Sequence, residues 1–234
     1  MASCLYITLG CAKNEVDTDR MRALLSKAGV EECANVEDAD VAIVNTCSFL
    51  AAATQESVEA TLELAEAARE GVRRLPIVMC GCVPSRYGAE LASEMPEVAA
   101  FVPTDEEDGI VDVVFGLLRE EAPKSEADDG VLRTIEGASA YVKISDGCDR
   151  FCTFCAIPYI RGRYHSRTAD DIVREVVLLM DGGVREVVLI GQDTGVWGSD
   201  LEEPHDLAWL LERVPRRYGP TGAGCASSIC NPRA

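Results

Sequence analysis

Apolar residues in the first half of the chain follow two alternating periods. Short β-branched runs, such as residues 41–44, predict buried strands, and apolar positions three or four apart predict amphipathic helices. In the longest of these helices, Val58, Leu62 and Ala65 form the predicted buried stripe. Alternating strands and helices predict a parallel sheet with helices packed on it. The predicted strands are residues 5–9, 41–44, 75–79 and 98–102, and the predicted helices are residues 16–28, 55–73, 86–95 and 109–118.

A polar segment separates this half from a second α/β pattern. Residues 121–137 lack apolar periodicity, which predicts a linker. The pattern restarts with a strand at 140–145, a helix at 168–181, a strand at 186–190 and a helix at 205–214. The last residues again show no period. The predicted organisation is therefore an N-terminal domain at 1–120, a linker at 121–137, a partial second domain at 138–218 and an irregular tail at 219–234.

Composition and charge narrow the class of protein. The 234 residues are 47% hydrophobic and 26% charged, which is typical of a globular chain. No apolar run is long enough to span a membrane, and the N-terminus lacks the pattern of a signal peptide. Eleven cysteines without an export signal favour metal or redox chemistry in a reducing cytoplasm over a disulfide framework.

The net charge of −18 disfavours broad binding to nucleic acid, because such binding depends on contacts from Lys and Arg to phosphates. A local basic patch stays open as an alternative. Arg161, Arg163 and Arg167 would form it, and a solvated loop is the competing interpretation.

Cys148, Cys152 and Cys155 carry the strongest chemical signal, in the spacing CxxxCxxC. Three thiolates so close together suit three irons of a cubane cluster, which leaves the fourth iron open to a small molecule. Iron–sulfur clusters normally have four Cys ligands. Half of a zinc site, a redox CxxC and a disulfide are the alternatives. Zinc sites usually bring a second ligand pair nearby, and a redox CxxC has no third Cys just upstream, so the cluster interpretation is favoured.

A second triplet follows the predicted strands of the first domain. Cys11, Cys47 and Cys82 come just after the first, second and third strands. Ligands of open parallel sheets bind at the carboxyl ends of the strands, so three thiolates would reach one edge. Gly10 and Gly81 would let the backbone approach a bulky ligand. The alternative is that the three are buried structural cysteines.

The remaining cysteines have no such placement. We expect Cys80 in the core, and Cys4 and Cys33 to be structural. Cys225 and Cys230 lie in the tail and are interpreted as incidental.

The two triplets together resemble the radical S-adenosylmethionine (SAM) methylthiotransferases, which carry a three-cysteine domain ahead of the CxxxCxxC domain. Residues 11–17, 161–164 and 191–194 resemble the RimO-like branch, which methylthiolates an aspartate of a small-subunit ribosomal protein. The branch acting on tRNA adenosine usually has Gly-Gln-Asn where this chain has Gly191, Gln192 and Asp193. The stretches that carry the family resemblance are residues 9–17, 44–49, 81–87 and 146–158.

The resemblance implies an N-terminal parallel-sheet α/β domain followed by the first part of an incomplete radical SAM (β/α) barrel. It also implies two [4Fe–4S] clusters and SAM as cofactors. The cluster on Cys148, Cys152 and Cys155 would bind and reduce SAM, and the resulting radical would remove a hydrogen from an unactivated carbon. The other cluster, on Cys11, Cys47 and Cys82, would hold the sulfur, methylated by a second SAM.

Two further residues receive cofactor roles from the resemblance. Phe154 would lie against the SAM adenine, with plain core packing as the alternative. Gln192 would border the amino-acid portion of SAM, with a structural polar role as the alternative. No residue of the chain itself is assigned as catalytic.

Partners also follow from the resemblance: a small-subunit ribosomal protein as substrate, an electron donor such as flavodoxin or ferredoxin, and no membrane. A tRNA adenosine substrate, or a non-catalytic iron–sulfur or zinc-binding fragment, is the alternative. Family members continue with further strand–helix units and a small β domain. We therefore expect the chain to have an open edge in its second sheet, an incomplete SAM pocket and poor SAM cleavage.

Overall fold

The computed structural model of the protein describes residues 2–70, 74–123, 133–134, 137–215 and 228–230. The chain divides into two units. The first comprises residues 1–127 together with 154–161, and the second comprises residues 128–153 together with 162–234. Within the described ranges, no helix has the length and apolar character needed to cross a membrane.

The first unit is built on a parallel sheet whose strands run in the order β2-β1-β3-β4-β5. The direction in which strands are added reverses between β1 and β3, and in such sheets ligands bind beyond the carboxyl ends of the strands at this reversal. The strands are β1 Ser3–Thr8, β2 Glu31–Cys33, β3 Val41–Thr46, β4 Ile77–Gly81 and β5 Ala100–Pro103. The helices are α1 Ala12–Lys27, α2 Ala51–Glu70, α3 Cys82–Glu94, α4 Ile110–Leu118 and α5 Ile157–Ile160.

Strand β3 is the centre of this unit, since all six of its residues are buried. Apolar clusters cover both faces of the sheet, one including residues of α1 and α4 and the other residues of α2. The predicted stripe of α2 is wrong at Leu62, whose side chain is 42% exposed. The buried face carries Ser57 and Thr61 instead, because their hydroxyls find backbone acceptors at Cys47 and Ser57. A pattern of apolar residues alone does not reveal such a face.

The second unit contains a three-stranded parallel sheet in the order β10-β9-β6 and an antiparallel pair of β7 with β8. Ile172, Val176 and Leu179 of its long helix are buried against the sheet, as predicted. Thr168 caps the start of that helix by accepting from the backbone N–H of Asp171. The elements are β6 Ser139–Lys143, β7 Ser145–Asp146, β8 His165–Ser166, α6 Ala169–Asp181, β9 Glu186–Ile190, α7 Leu207–Arg213 and β10 Ser228–Cys230.

These two parallel sheets with their helices confirm the predicted fold class. Strand β10 pairs with β9 in parallel register, so the edge strands of this sheet are β6 and β10. Strand pairing uses main-chain hydrogen bonds, so three residues from a segment without apolar period can form it. Of the predicted tail at 219–234, only residues 228–230 lie within the described residues.

A buried ion network holds part of the predicted linker on α6. The carboxylate of Glu175, 2% exposed, accepts from Arg133 at 2.5 Å and from Arg167 at 2.5 Å. Arg167 also donates to the carbonyl of Lys143 at 2.7 Å, and Arg133 to that of Tyr141 at 3.2 Å. The two guanidinium groups therefore tie β6 and the residue at position 133 to one buried carboxylate.

Candidate metal centres

Three predicted ligands follow the carboxyl ends of three neighbouring strands, as the sequence predicted. Cys11 comes after β1 as the residue that precedes α1, Cys47 directly follows β3, and Cys82 is the first residue of α3 after β4. Strand β3 pairs with both β1 and β4, so the three residues share one edge of the sheet. Cys11 is exposed, Cys47 is half-buried and Cys82 is buried. We call these three residues the first cysteine site.

Asn14 joins the loop of Cys11 to the end of β3. Its amide nitrogen donates to the carbonyl of Thr46 at 2.8 Å and to Asn45 Oδ1 at 3.1 Å. Its Oδ1 accepts from the thiol of Cys11 at 3.5 Å. Asn45 donates back to the carbonyl of Asn14 at 3.0 Å, so both side-chain amides are satisfied inside the sheet edge. These contacts fix the first loop against the strand that delivers Cys47.

The loop of Cys47 is held from two sides. The hydroxyl of Ser57 on α2 accepts from the backbone N–H of Cys47 at 3.1 Å and lies 3.0 Å from its carbonyl. Arg86 on α3 donates to the carbonyl of Ser48 at 2.6 Å. The loop that carries Cys47 is therefore connected to the helix that begins at Cys82.

Cys80 and Cys82 have different environments although they are two residues apart. In a continuous strand they would share a face, but Gly81 between them has φ +91° and ends the strand. Cys80 is fully buried in the apolar core, where burial raises its pKa well above the usual range, and it lies in the core as predicted. Burial also raises the pKa of Cys82 to about 11, against the opposing charge and hydrogen bond of Arg161.

Gly10→Ala tests the close approach between the loop of Cys11 and the loop of Cys47. Gly10 has φ +108°, and a Cβ there would come within 2.6 Å of Cys47 Cβ. We expect Gly10→Ala to lower the free energy of unfolding by about 1–3 kcal/mol, the cost of holding an L-residue in such backbone, and to move Cys47 away from Cys11. Denaturant unfolding and the iron content after anaerobic reconstitution measure the two effects.

Gly29→Ala is the matched control for this substitution. Gly29 also has positive φ, +89°, but a Cβ there would meet nothing within 4 Å. It shares the backbone strain without the contact to a cysteine loop. Equal iron content in the two variants would show that the approach of Gly10 to Cys47 has no part in building the site.

The loop that carries the second cysteine triplet is held together where it begins and ends, by the pairing of β7 with β8. Ser145 and Asp146 pair with Ser166 and His165 across β7 and β8. The backbone N–H of Cys148 then donates to the carbonyl of Gly162 at 3.2 Å. Beyond this point the loop is irregular, and Cys152 is exposed while Cys148 and Cys155 are half-buried. The backbone of the loop is thus fixed at Cys148, the first of its three cysteines.

Charged side chains flank the same loop. Arg150 forms an ion pair with Asp193, which lies just after β9. The hydrogen bond and the negative charge of Asp193 raise the pKa of Arg150, with the thiols of Cys148 and Cys152 adding to the effect. Asp149 accepts from the backbone N–H of Tyr164 at 3.0 Å and pairs with Arg163. A cation therefore lies beside two of the predicted ligands.

The two residues predicted to contact SAM differ in their surroundings. Phe154 is 90% exposed, so core packing does not explain it. Gln192 follows β9, and both its amide oxygen and its amide nitrogen are buried without a hydrogen-bond partner among the described residues. The hydroxyl of Ser145 on β7 is also buried, and it interacts with the side chain of Tyr164. Buried polar atoms without partners are rare, and they fit a site that binds a polar ligand.

The six cysteines nevertheless stay a predicted ligand set. In the part of the chain that the structure describes, no three Cys, His, Asp or Glu side chains stand close enough together to hold one metal ion. What fits a cluster is the chemistry of the donors and the backbone that delivers them, with soft thiolates on loops fixed by hydrogen bonds.

Two of the three arginines considered for a local basic patch are held in ion pairs inside the fold. Arg161 is buried in an ion pair with Asp17, and Arg167 donates to Glu175. Only Arg163, with its side chain 75% exposed, faces solvent. The sequence analysis missed Asn14, Ser57, Arg86 and Arg161 as residues that build the first cysteine site. Asn14 lies in a stretch that carries the family resemblance, which was the available signal.

Comparisons with known proteins agree with this arrangement. Residues 3–103 match the family described as "Uncharacterized protein family UPF0004", and residues 142–209 match the Radical SAM superfamily. Proteins named ribosomal protein uS12 methylthiotransferase RimO are similar to the chain. The one from Symbiobacterium thermophilum is 44% identical over 92% of this chain and 46% of its own length. The one from Aquifex aeolicus is 42% identical over 91% of this chain and 46% of its own length.

The chain thus spans about half the length of these curated relatives. Among solved structures, the radical SAM methyltransferase TsrM from Kitasatospora setae, with tryptophan and a SAM analogue bound, has a TM-score of 0.56 at 12% identity. This likeness covers 84% of this chain and 48% of that protein. The same enzyme with cobalamin and a [4Fe–4S] cluster bound has a TM-score of 0.54. At such identity the likeness shows the fold.

Proposed function

We propose that the chain is a radical SAM methylthiotransferase that transfers a methylthio group to an unactivated carbon of an aspartate in ribosomal protein uS12. The observation that carries the proposal is the delivery of Cys11, Cys47 and Cys82 to one sheet edge in a chain that also contains the CxxxCxxC loop. One such site suits a simple iron–sulfur protein. Two suit a reaction that needs both a radical and a sulfur.

The residues of the chain bind and orient the two groups. We assign Cys148, Cys152 and Cys155 to one [4Fe–4S] cluster and the first cysteine site to the other. When bound, these clusters and SAM supply the radical and the sulfur chemistry. Fixed loops matter for such a transfer, because positioned reactants avoid most of the entropic cost of meeting. Asn14, Ser57 and Arg86 provide that fixation at the first cysteine site.

In the second unit, the side chains of Gln192 and Ser145 would bind SAM. The buried amide of Gln192 offers a donor and an acceptor, and the buried hydroxyl of Ser145 offers a third polar atom. Phe154 offers an exposed aromatic face on which an adenine can stack. Gln192 and Ser145 lie close to the carboxyl ends of strands, where ligands of α/β folds bind.

The proposed substrate agrees with the charge of the chain. Forty Asp and Glu against 22 Lys and Arg give the net charge of −18, which favours a basic protein partner over the phosphates of tRNA. The electron donor would be a small cytoplasmic redox protein such as flavodoxin or ferredoxin, and the cytoplasm is where ribosomal proteins are found.

A competition between substrates tests the proposed function. The reconstituted protein, extended with the C-terminal half of a curated relative, is incubated anaerobically with SAM, sulfide and a reductant, together with uS12 or tRNA. Mass spectrometry of both products is expected to find a methylthio group on uS12 alone. Modification of tRNA adenosine alone would move the protein to the other branch. If the protein binds iron or zinc but modifies neither uS12 nor tRNA, it is a non-catalytic metal-binding protein.

A further inference from the structure

Arg161 is a buried cation in the first unit, far in sequence from the residues that it contacts. Its side chain is 1% exposed, and its guanidinium forms an ion pair with Asp17 of α1 at 3.0 Å. It also donates to Asn14 Oδ1 at 3.3 Å. Residue 161 directly follows α5, a short helix that belongs to the first unit and packs on α3. The chain therefore returns to the first unit at residue 154, before the last cysteine of its second triplet.

The same guanidinium reaches the first cysteine site. Asn14 Oδ1, which accepts from Arg161, also accepts from the thiol of Cys11 at 3.5 Å. Arg161 also acts on Cys82 through a hydrogen bond and its charge. One buried positive group thus reaches Cys11 through a single amide, and its charge also acts on Cys82.

Charge decides what such a group can do. Three thiolates at one sheet edge concentrate negative charge, and each added electron on a bound cluster increases it. A cation within contact distance interacts strongly with that charge, because the protein interior screens it less than water does. Reduction potentials of iron–sulfur clusters depend on net charge and on hydrogen bonds to the sulfurs. Arg161 supplies a positive charge beside the site and a hydrogen bond to Asn14, the residue that contacts Cys11.

We propose that Arg161 is a positioning residue of the first cysteine site, which orients Cys82 and Asn14 and raises the reduction potential of a cluster bound there. The proposal rests on the proposed function, since it needs a cluster on Cys11, Cys47 and Cys82. It concerns the uptake of one electron from the titrant by that cluster, with no bond made or broken. Asp17 holds the guanidinium in place for this role.

The test uses the full chain with Cys148, Cys152 and Cys155 changed to Ala, so that only the first cysteine site can bind a cluster. Its potential is measured by titration followed with electron paramagnetic resonance. In this background Arg161→Met removes the charge and keeps an apolar stem. We expect about a tenfold loss in the equilibrium constant for reduction, which is a shift of about 59 mV to more negative potential for one electron.

Two variants separate charge from packing. Arg161→Lys keeps the charge and is expected to shift the reduction potential much less than Arg161→Met does. Arg69→Met is the matched control, because Arg69 lies in the same unit, is 70% exposed and pairs only at the surface with Glu97. A potential for Arg161→Met equal to that of Arg69→Met, at equal iron content, would overturn the inference.

Failure of the proposed function gives a different result from failure of this inference. If the background protein with an intact Arg161 binds no iron, the assignment of the first cysteine site is wrong. If Arg161→Met does not fold, as judged by circular dichroism, Asp17→Asn decides instead. It keeps an amide oxygen that can hold the guanidinium by a hydrogen bond but removes a negative charge near the site, so the potential should rise. An unchanged potential in Asp17→Asn would reject the role of this buried pair.

Discussion

Cys82→Ala is expected to eliminate the cluster of the first cysteine site, whereas Cys80→Ala is expected to leave it intact. Cys82 begins α3 at the sheet edge, and Cys80 is enclosed in the apolar core on the other side of the break at Gly81. A three-thiolate site that loses one ligand keeps only two, too few for a cubane. In the chain extended with the C-terminal half of a relative, Cys82→Ala should abolish methylthio transfer and still cleave SAM.

Iron analysis and detection of 5′-deoxyadenosine measure these two effects side by side. Cys80→Ala is the matched control, because it removes a thiol of the same size two residues away. Some loss of stability is expected from it, since it leaves a small cavity in the core. Equal loss of iron and of transfer in both variants would refute the strand-end argument for the first cysteine site.

Glu175→Ala is expected to destabilise the second unit by about 3–5 kcal/mol, because it leaves the buried Arg133 without its carboxylate. Both tryptophans of the chain, Trp197 and Trp209, lie in this unit, so their fluorescence reports its unfolding in denaturant. Arg174→Ala is the control. It removes a half-exposed partner of Asp171 and should change the free energy of unfolding by less than about 1 kcal/mol.

A result for Glu175→Ala no larger than that for Arg174→Ala would mean that the Arg133–Glu175–Arg167 network does not hold the predicted linker on α6. The comparison matters for the domain boundaries. Residue 133 lies in the segment that the sequence predicts as a linker, yet its side chain is 3% exposed.

The sequence predicted well those features that depend on local pattern. Strand β3 begins with the apolar run at residues 41–44, and it is buried throughout. The placement of Cys11, Cys47 and Cys82 at one edge followed from the parallel sheet alone. The face of α6 followed from its apolar period. In each case the residues next to one another in the sequence predict the strand or helix, and the position of the residue of interest follows from that element.

Features that depend on distant partners were not predictable in this way. Arg161 was a candidate for an exposed basic patch, and its burial depends on Asp17, 144 positions away in the chain. Ser57 and Thr61 replaced Leu62 on the buried face of α2, because their hydroxyls have acceptors that only the fold supplies. The pairing of β10 with β9 rests on backbone groups, which every residue carries. Side-chain patterns contain no information about such contacts.

The central claim is that six cysteines hold two separate [4Fe–4S] clusters, and metal analysis tests it most directly. Iron and acid-labile sulfide are counted after anaerobic reconstitution of the unaltered chain and of two triple Ala variants, one for each cysteine triplet. The account predicts about eight irons for the unaltered chain and about four for each variant. Full iron content in either variant, or zinc in place of iron, would contradict it.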